Sequence, residues 1–306
     1  TQPQQYARLF PNLMAQANEL RTVTVQYQGK TFNINYTNGK WQLAEMADYP
    51  VADNQIKSLL LGLVELMPIE KKTANPDYFA RIALEDSDKT AAKSARVSLK
   101  DKNGKLLADL LVGKKHPGML NNELDKIFVR KPSDPQSWLT MGTLPAFKSP
   151  LDWVNTKFID IDKTDIKQVS LKGIGAKELT IFKNNQPETD YMIAGLEPTQ
   201  RITTAFPVNN IANTLASLTI VDVYPAKKLN FAKYLQQTAV VTTFDGLKLT
   251  IEKATVEGQP LLRLTAELDL AQAGDTPTAR QTRSKVNKLQ TLFNDRLFVI
   301  PEYQAT

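Results

Sequence analysis

The chain has 306 residues, with no cysteine, one histidine and 13 glycines. Without cysteine there is no thiolate nucleophile, disulfide, iron–sulfur ligand or cysteine-bound zinc, and one imidazole excludes H-E-x-x-H sites and any centre needing two histidines. The 38 basic and 32 acidic residues leave a net charge of +6, but the densest basic groups are the pairs Lys71-Lys72, Lys114-Lys115 and Lys227-Lys228, too short for the basic face of a nucleic-acid binder.

In chain order, the first expected elements are strands over Val23–Tyr27 and Thr31–Ile34. Both alternate apolar and polar residues, and Gly29-Lys30 is read as the turn between them. Asn38-Gly39 marks the next turn, after which Trp41 opens another alternating strand and is expected to fill core. Tyr49-Pro50-Val51 precedes a helix whose Ile56, Leu60 and Leu63 step by four and then three onto one face, with Asp53 as the expected N-cap. Pro68 ends that helix. A hairpin follows from Val97-Ser98-Leu99 through Asn103-Gly104 to Leu106–Val112, and then a strand at Ile127-Phe128-Val129.

The second half repeats this order. Val169-Ser170-Leu171 and Leu179-Thr180-Ile181 read as strands, followed by the turn Asn184-Asn185 and by Tyr191-Met192-Ile193. Phe206-Pro207-Val208 leads into a helix with Ile211, Leu215 and Leu218 on one face and Asn209 as its expected cap; Pro225 and a lysine pair follow. A hairpin turns at Asp245-Gly246, and a further strand covers Leu261–Leu264. The fold class expected is therefore α+β: two tandem repeats, each a mostly antiparallel sheet packed with one amphipathic helix. The expected organisation is an N-terminal extension over 1–21, a first repeat over 22–155 and a second over 156–306; a single domain with one continuous sheet is the alternative.

These same segments resemble the domain-of-unknown-function 4340 family. Gly39-Lys40-Trp41-Gln42-Leu43, Tyr49-Pro50-Val51-Ala52-Asp53 and the leucine-rich helix to Met67 are similar to the family core. Gly104 to Val112-Gly113, Ile127-Phe128-Val129-Arg130, Leu151–Asp162 and Asn294–Tyr303 continue the likeness, which runs from Leu9 to Tyr303. The resemblance implies an extracytoplasmic protein tethered by one transmembrane helix preceding Thr1, and auxiliary to ABC-type transport systems such as gliding-motility components. The implied partner is a permease or ATPase complex of the cell envelope. The family carries over no catalytic residue, cofactor or metal. Gly113-Lys114-Lys115 has no glycine counterpart at Glu252-Lys253 in the second half.

Individual side chains give weaker chemistry. His116, in Lys114-Lys115-His116-Pro117-Gly118, could act as a base but reads better as an exposed loop residue. Asp160, Asp162 and Asp165 form D-x-D-x-x-D without the glycine and terminal glutamate of a calcium loop, and read as a solvated strand end. Ser94 or Ser98 beside Lys93 and Lys100 could form a Ser–Lys dyad, and no G-x-S-x-G string occurs. Trp138 and Trp153 flank Met141–Pro145 and read as packing between the repeats, with an interaction surface as the alternative. Binding is expected at a sheet edge or in the groove between repeats. No residue is assigned as catalytic, cofactor-binding or metal-binding. The expected function is non-catalytic binding or scaffolding outside the cytoplasm, against two alternatives: an envelope hydrolase using carboxylates or a Ser–Lys pair, and a soluble small-ligand binder.

Overall fold

Alternation along the first two strands sets up the first sheet. β1 (Leu20–Tyr27) and β2 (Lys30–Thr37) bury Val23, Val25, Phe32 and Ile34 on one face. Their two-residue turn is Gln28-Gly29, with φ of 49° and 73°, the left-handed pair whose twist matches a hairpin. The expected turn at Gly29-Lys30 is thus one residue late, and Lys30 already belongs to β2. Asn38-Gly39, at φ 52° and 79°, repeats the device between β2 and β3 (Lys40–Leu43).

The computed structural model describes residues 6–118, 124–269 and 276–305; the reading of Thr1–Gln5 lies outside them. The chain divides into two compact units, Thr1–Asn155 and Thr156–Thr306. In unit 1, β4 (Tyr49–Pro50), α1 (Gln55–Glu65), β5 (Met67–Lys71), β6 (Ala95–Asp101), β7 (Leu106–His116), β8 (Asp125–Arg130) and β9 (Ser137–Gly142) follow β3. Among the described residues, these strands form one antiparallel sheet in the order β4-β3-β2-β1-β6-β7-β8-β9-β5. α1 buries Ile56, Leu59, Gly62 and Leu63, so Leu59 replaces the half-buried Leu60 of the expected stripe. Asp53 does not cap this helix. Asn54 stands at the cap, with φ 68° and no capping side-chain bond. The cause lies one step upstream, where the Ala52 amide is already taken by the Trp153 carbonyl at 2.8 Å, fixing a tight left-handed entry.

The N-terminal segment also packs in unit 1: Leu9, Phe10 and Leu13 are buried, and Arg8 Nη1 donates to the Val64 carbonyl at 3.2 Å near the end of α1.

Unit 2 contains β10 (Lys157–Asp160), β11 (Ile166–Gly173), β12 (Leu179–Phe182), β13 (Met192–Ile193), α2 (Phe206–Ala216), β14 (Ser217–Thr219) and β15 (Asp222–Pro225). β16 (Leu235–Thr243), β17 (Leu247–Val256), β18 (Gln259–Leu268), α3 (Pro277–Phe293), β19 (Arg296–Val299) and the short α4 (Glu302–Ala305) follow. Among the described residues its main sheet runs β13-β12-β11-β16-β17-β18-β19-β15, and β10 pairs β14 separately. The fold is α+β, with antiparallel sheets and few helices, and among the described residues each unit has its own main sheet.

Two sequence expectations fail here for clear reasons. Asn209 lies inside α2 and does not start it. The helix begins at Phe206 because Pro207 fits the first turn, where its missing N–H costs nothing. Freed from capping, the Asn209 side chain accepts from the Tyr191 amide at 3.0 Å and donates to Asp190 at 2.8 Å. Unit 2 also carries two further helices, α3 and the one-turn α4, where a single helix was expected. α3 is capped by Thr276, whose hydroxyl accepts from the Ala279 amide at 3.1 Å, and it buries Ala279, Thr282, Val286 and Phe293. That stripe keeps helical spacing but mixes alanine and threonine with the larger apolar residues, so its signal is weak.

Candidate binding cleft

α2 has two apolar stripes with different fates. Val208, Ala212 and Ala216 recur every four residues and are buried; their small side chains let the helix approach its neighbours closely. Ile211 and Leu215, expected as core together with Leu218, stay half-buried. They form one wall of a cleft of about 410 Å³ between α2 and the sheet. The floor is a cross-strand row, Leu171 on β11, Ala239 on β16 and Ile251 on β17, extended by Leu262 on β18. One end is closed by polar clasps. Gln304 Oε1 accepts from the Thr219 amide at 3.0 Å, and its Nε2 donates to the Ser217 carbonyl at 3.2 Å. Lys253 Nζ donates to the Ala305 carbonyl.

The opposite end is open, and Phe206 stands there with 77% of its surface exposed. Its sequence counterpart Tyr49 is buried, because β4 pairs Tyr49 with Leu43, whereas Phe206 begins a helix. Among the described residues lining the cleft, Lys253 is the only ionisable one. An apolar cleft with few polar groups suits binding.

A second cleft, of about 620 Å³, lies in unit 1 against Trp41, Pro50, Asp53, Ile56 and Lys57. Trp41 is half-buried and tilts on Tyr36 at 5.1 Å between ring centroids. It was expected in the core, but β3 has only the two-residue β4 outside it, so the indole is covered on one side only.

The structure disperses the other candidates. His116 is exposed and belongs to β7, not to a loop, since it pairs with Lys126; its ring meets Phe128 edge-on at 5.9 Å. Gly113-Lys114-Lys115 is likewise strand, and a Cβ at Gly113 would lie 2.4 Å from the Ile82 carbonyl. Asp162 caps a 3-10 turn by accepting from the Thr164 amide at 2.9 Å, and these bonds hold its carboxyl below the usual range. Asp160 pairs with Lys157 at 3.4 Å, and Asp165 accepts from Gln186. No group of three or more metal-ligating side chains forms among the described residues. Ser94 donates to the Glu85 carbonyl and Ser98 to Asp109 at 2.8 Å, so neither hydroxyl is directed at a lysine. Trp153 is fully buried beside Phe147, 6.1 Å between centroids. Trp138 meets the edge of Tyr6 at 5.0 Å and lies under Lys71.

One buried cluster escaped sequence reading. Lys183 Nζ donates to three carbonyls, of Thr164, Gln186 and Glu188, at 2.9–3.1 Å. Burial lowers its pKa, against the raising influence of Asp165, Glu188 and Asp162. The adjacent Tyr191 hydroxyl donates to the Ile166 carbonyl at 2.8 Å, and burial pushes that phenol up to about 12. A raised phenol pKa contributes stability that is complete below the unfolded value near 10 and is lost as pH rises through the folded value. Alkaline titration of tyrosinate absorbance is therefore expected to show Tyr191 in a late phase near pH 12, with stability declining from about pH 10 upward; burial and Asp222 raise the Tyr224 phenol as well. Tyr191→Phe should remove that phase; its persistence would place the late phenol elsewhere.

A family model described as "Domain of unknown function (DUF4340)" matches residues 41–239. The chain belongs to this family. The DUF4340 match opens at Trp41 and closes at Ala239, so it takes in α1, α2 and two of the four floor residues of the cleft, Leu171 and Ala239. The likeness read across Leu9–Tyr303 is shown over this narrower span. No curated protein and no solved structure matches the chain. Among the described residues, no helix is long and apolar enough to cross a membrane.

Proposed function

We propose that this DUF4340 chain is a non-catalytic binding or scaffold protein working outside the cytoplasm, tethered to the inner membrane and auxiliary to an ABC-type transport system. The cleft beside α2 carries the binding part of this reading: it is open, apolar, and lined by one ionisable side chain, Lys253, among the described residues. The location and the transport partner are supported by the family resemblance. We infer also that the two units are copies of one ancestral unit. In support, β3-β2-β1-β6-β7-β8-β9-β5 and β13-β12-β11-β16-β17-β18-β19-β15 follow one order, and in each unit a helix follows the outer meander, after β4 in unit 1 and after β13 in unit 2.

The test is affinity capture of the protein from native envelope membranes after crosslinking. Recovery of a permease or ATPase subunit is expected. A clean blank, or turnover of chromogenic ester or glycoside substrates by the purified chain, overturns the reading.

A further inference from the structure

The two units treat the space beside their helices differently. In unit 1 the chain leaves β9 and runs back along α1. The Thr143 carbonyl and Leu144 lie against Gly62, where a Cβ would be 2.3 Å from that oxygen. Further on, the Asp152 carbonyl accepts from Gln55 Nε2 at 3.1 Å and the Trp153 carbonyl accepts from the Ala52 amide at 2.8 Å. Leu144, Phe147 and Trp153 are buried along this path. A segment with three large apolar side chains, irregular at first and closing in a 3-10 turn over Pro150–Trp153, therefore lies along α1 from the helix's C-terminal end to its N-terminal end.

In unit 2 the chain leaves β19 and enters the corresponding groove at the same end. Gln304 binds the Ser217 carbonyl just past α2, and Ala305 meets Lys253. Beyond that point, Leu215, Ile211 and Phe206 face a cleft of about 410 Å³, a size that takes a few apolar side chains.

We propose that this cleft binds a short apolar segment of a partner protein, seated along α2 as Thr143–Trp153 is seated along α1. The inference rests on the binding reading above and names its occupant. Main-chain groups of the segment face the polar side chains of the walls, Asn210, Thr214 and Gln237, while its aromatic or branched side chains sit over Leu171 and Ile251. Phe206 supplies an exposed aromatic at the mouth, the residue type that most often anchors such contacts.

The probe is a fluorescein-labelled synthetic peptide copying residues 143–155, added to the purified chain and followed by anisotropy. Saturable binding with a Kd of roughly 10–100 μM is expected. Thr214→Trp, which fills the cleft from the helix side, should weaken binding at least about tenfold without lowering the unfolding temperature, and Phe206→Ala, at a site too exposed to affect folding, about threefold. Ile174→Ser, on the exposed β11–β12 turn, should change nothing. Absence of binding, or binding indifferent to Thr214→Trp, overturns the proposal. So does light scattering that shows a dimer dissociated by the same substitution, since the occupant would then be a second copy. If envelope capture recovers a transport subunit while the peptide fails, only the occupant falls; a blank capture removes the reading beneath it.

Discussion

Trp153→Ala is expected to lower the stability of unit 1 by about 3–5 kcal/mol, the range for deleting a large aromatic from a filled core. The indole is fully buried, packs beside Phe147, and holds the chain where its carbonyl meets the Ala52 amide ahead of α1. Its Nε1 has no hydrogen-bond partner, so the ring stabilises by packing alone and carries an unmet polar cost. Trp153→Phe should therefore lose much less than Trp153→Ala, since it keeps most of the ring and removes the orphan donor. Urea denaturation checks both. Trp41, Trp138 and Trp153 all belong to unit 1, so tryptophan fluorescence follows that unit, while far-ultraviolet circular dichroism follows the whole chain. With an m-value near 2 kcal/mol/M, the fluorescence midpoint of Trp153→Ala should fall by about 2 M. A shift below about 0.5 M would mean that the Trp153 segment is not part of the unit's core.

How much of this was legible beforehand depends on the kind of signal. The hairpins were readable because positive φ demands particular residues: Asn38-Gly39, Gly104 and Gly246 all sit at turns with φ between 52° and 91°. The Glu257-Gly258 turn between β17 and β18, φ 51° and 80°, obeys the same rule and was overlooked, since glutamate is no marker of a turn. Helix periodicity identified α1 and α2 but could not say what lay against each face. Ile211 and Leu215 keep the spacing of core residues, and only the third dimension shows that Val208, Ala212 and Ala216 take the buried side. Small residues at helical spacing are a packing signal that a search for large apolar side chains passes over. The cleft was illegible for a related reason. Its floor comes from strands far apart in sequence, Leu171, Ala239, Ile251 and Leu262, and cross-strand register creates the row. Trp153, by contrast, reads from its place near the boundary as packing between the repeats, and the structure buries it beside Phe147 inside unit 1.

Gly62→Ala is the substitution for which local and tertiary physics disagree in sign. In the interior of α1, alanine is favoured over glycine by about 1 kcal/mol on propensity alone. Against that, an added Cβ would stand 2.3 Å from the Thr143 carbonyl oxygen and 3.1 Å from Leu144 Cδ2. The first of these atoms is backbone, tied through Gly142 to β9, so it cannot swing away as a side-chain end could. Overpacking of this kind costs about 1–3 kcal/mol, and a contact this short with an immobile oxygen belongs at or above the upper end. The net expectation is a loss of about 2 kcal/mol, read again by tryptophan fluorescence in urea. An isolated peptide spanning residues 54–66 should behave oppositely and gain helicity with the same change, because nothing lies beside it. That reversal separates packing from propensity. A more stable Gly62→Ala protein would mean that the 143–153 segment does not lie along α1. The template for the α2 cleft would go with it, since that cleft was assigned its occupant from the way unit 1 fills its own.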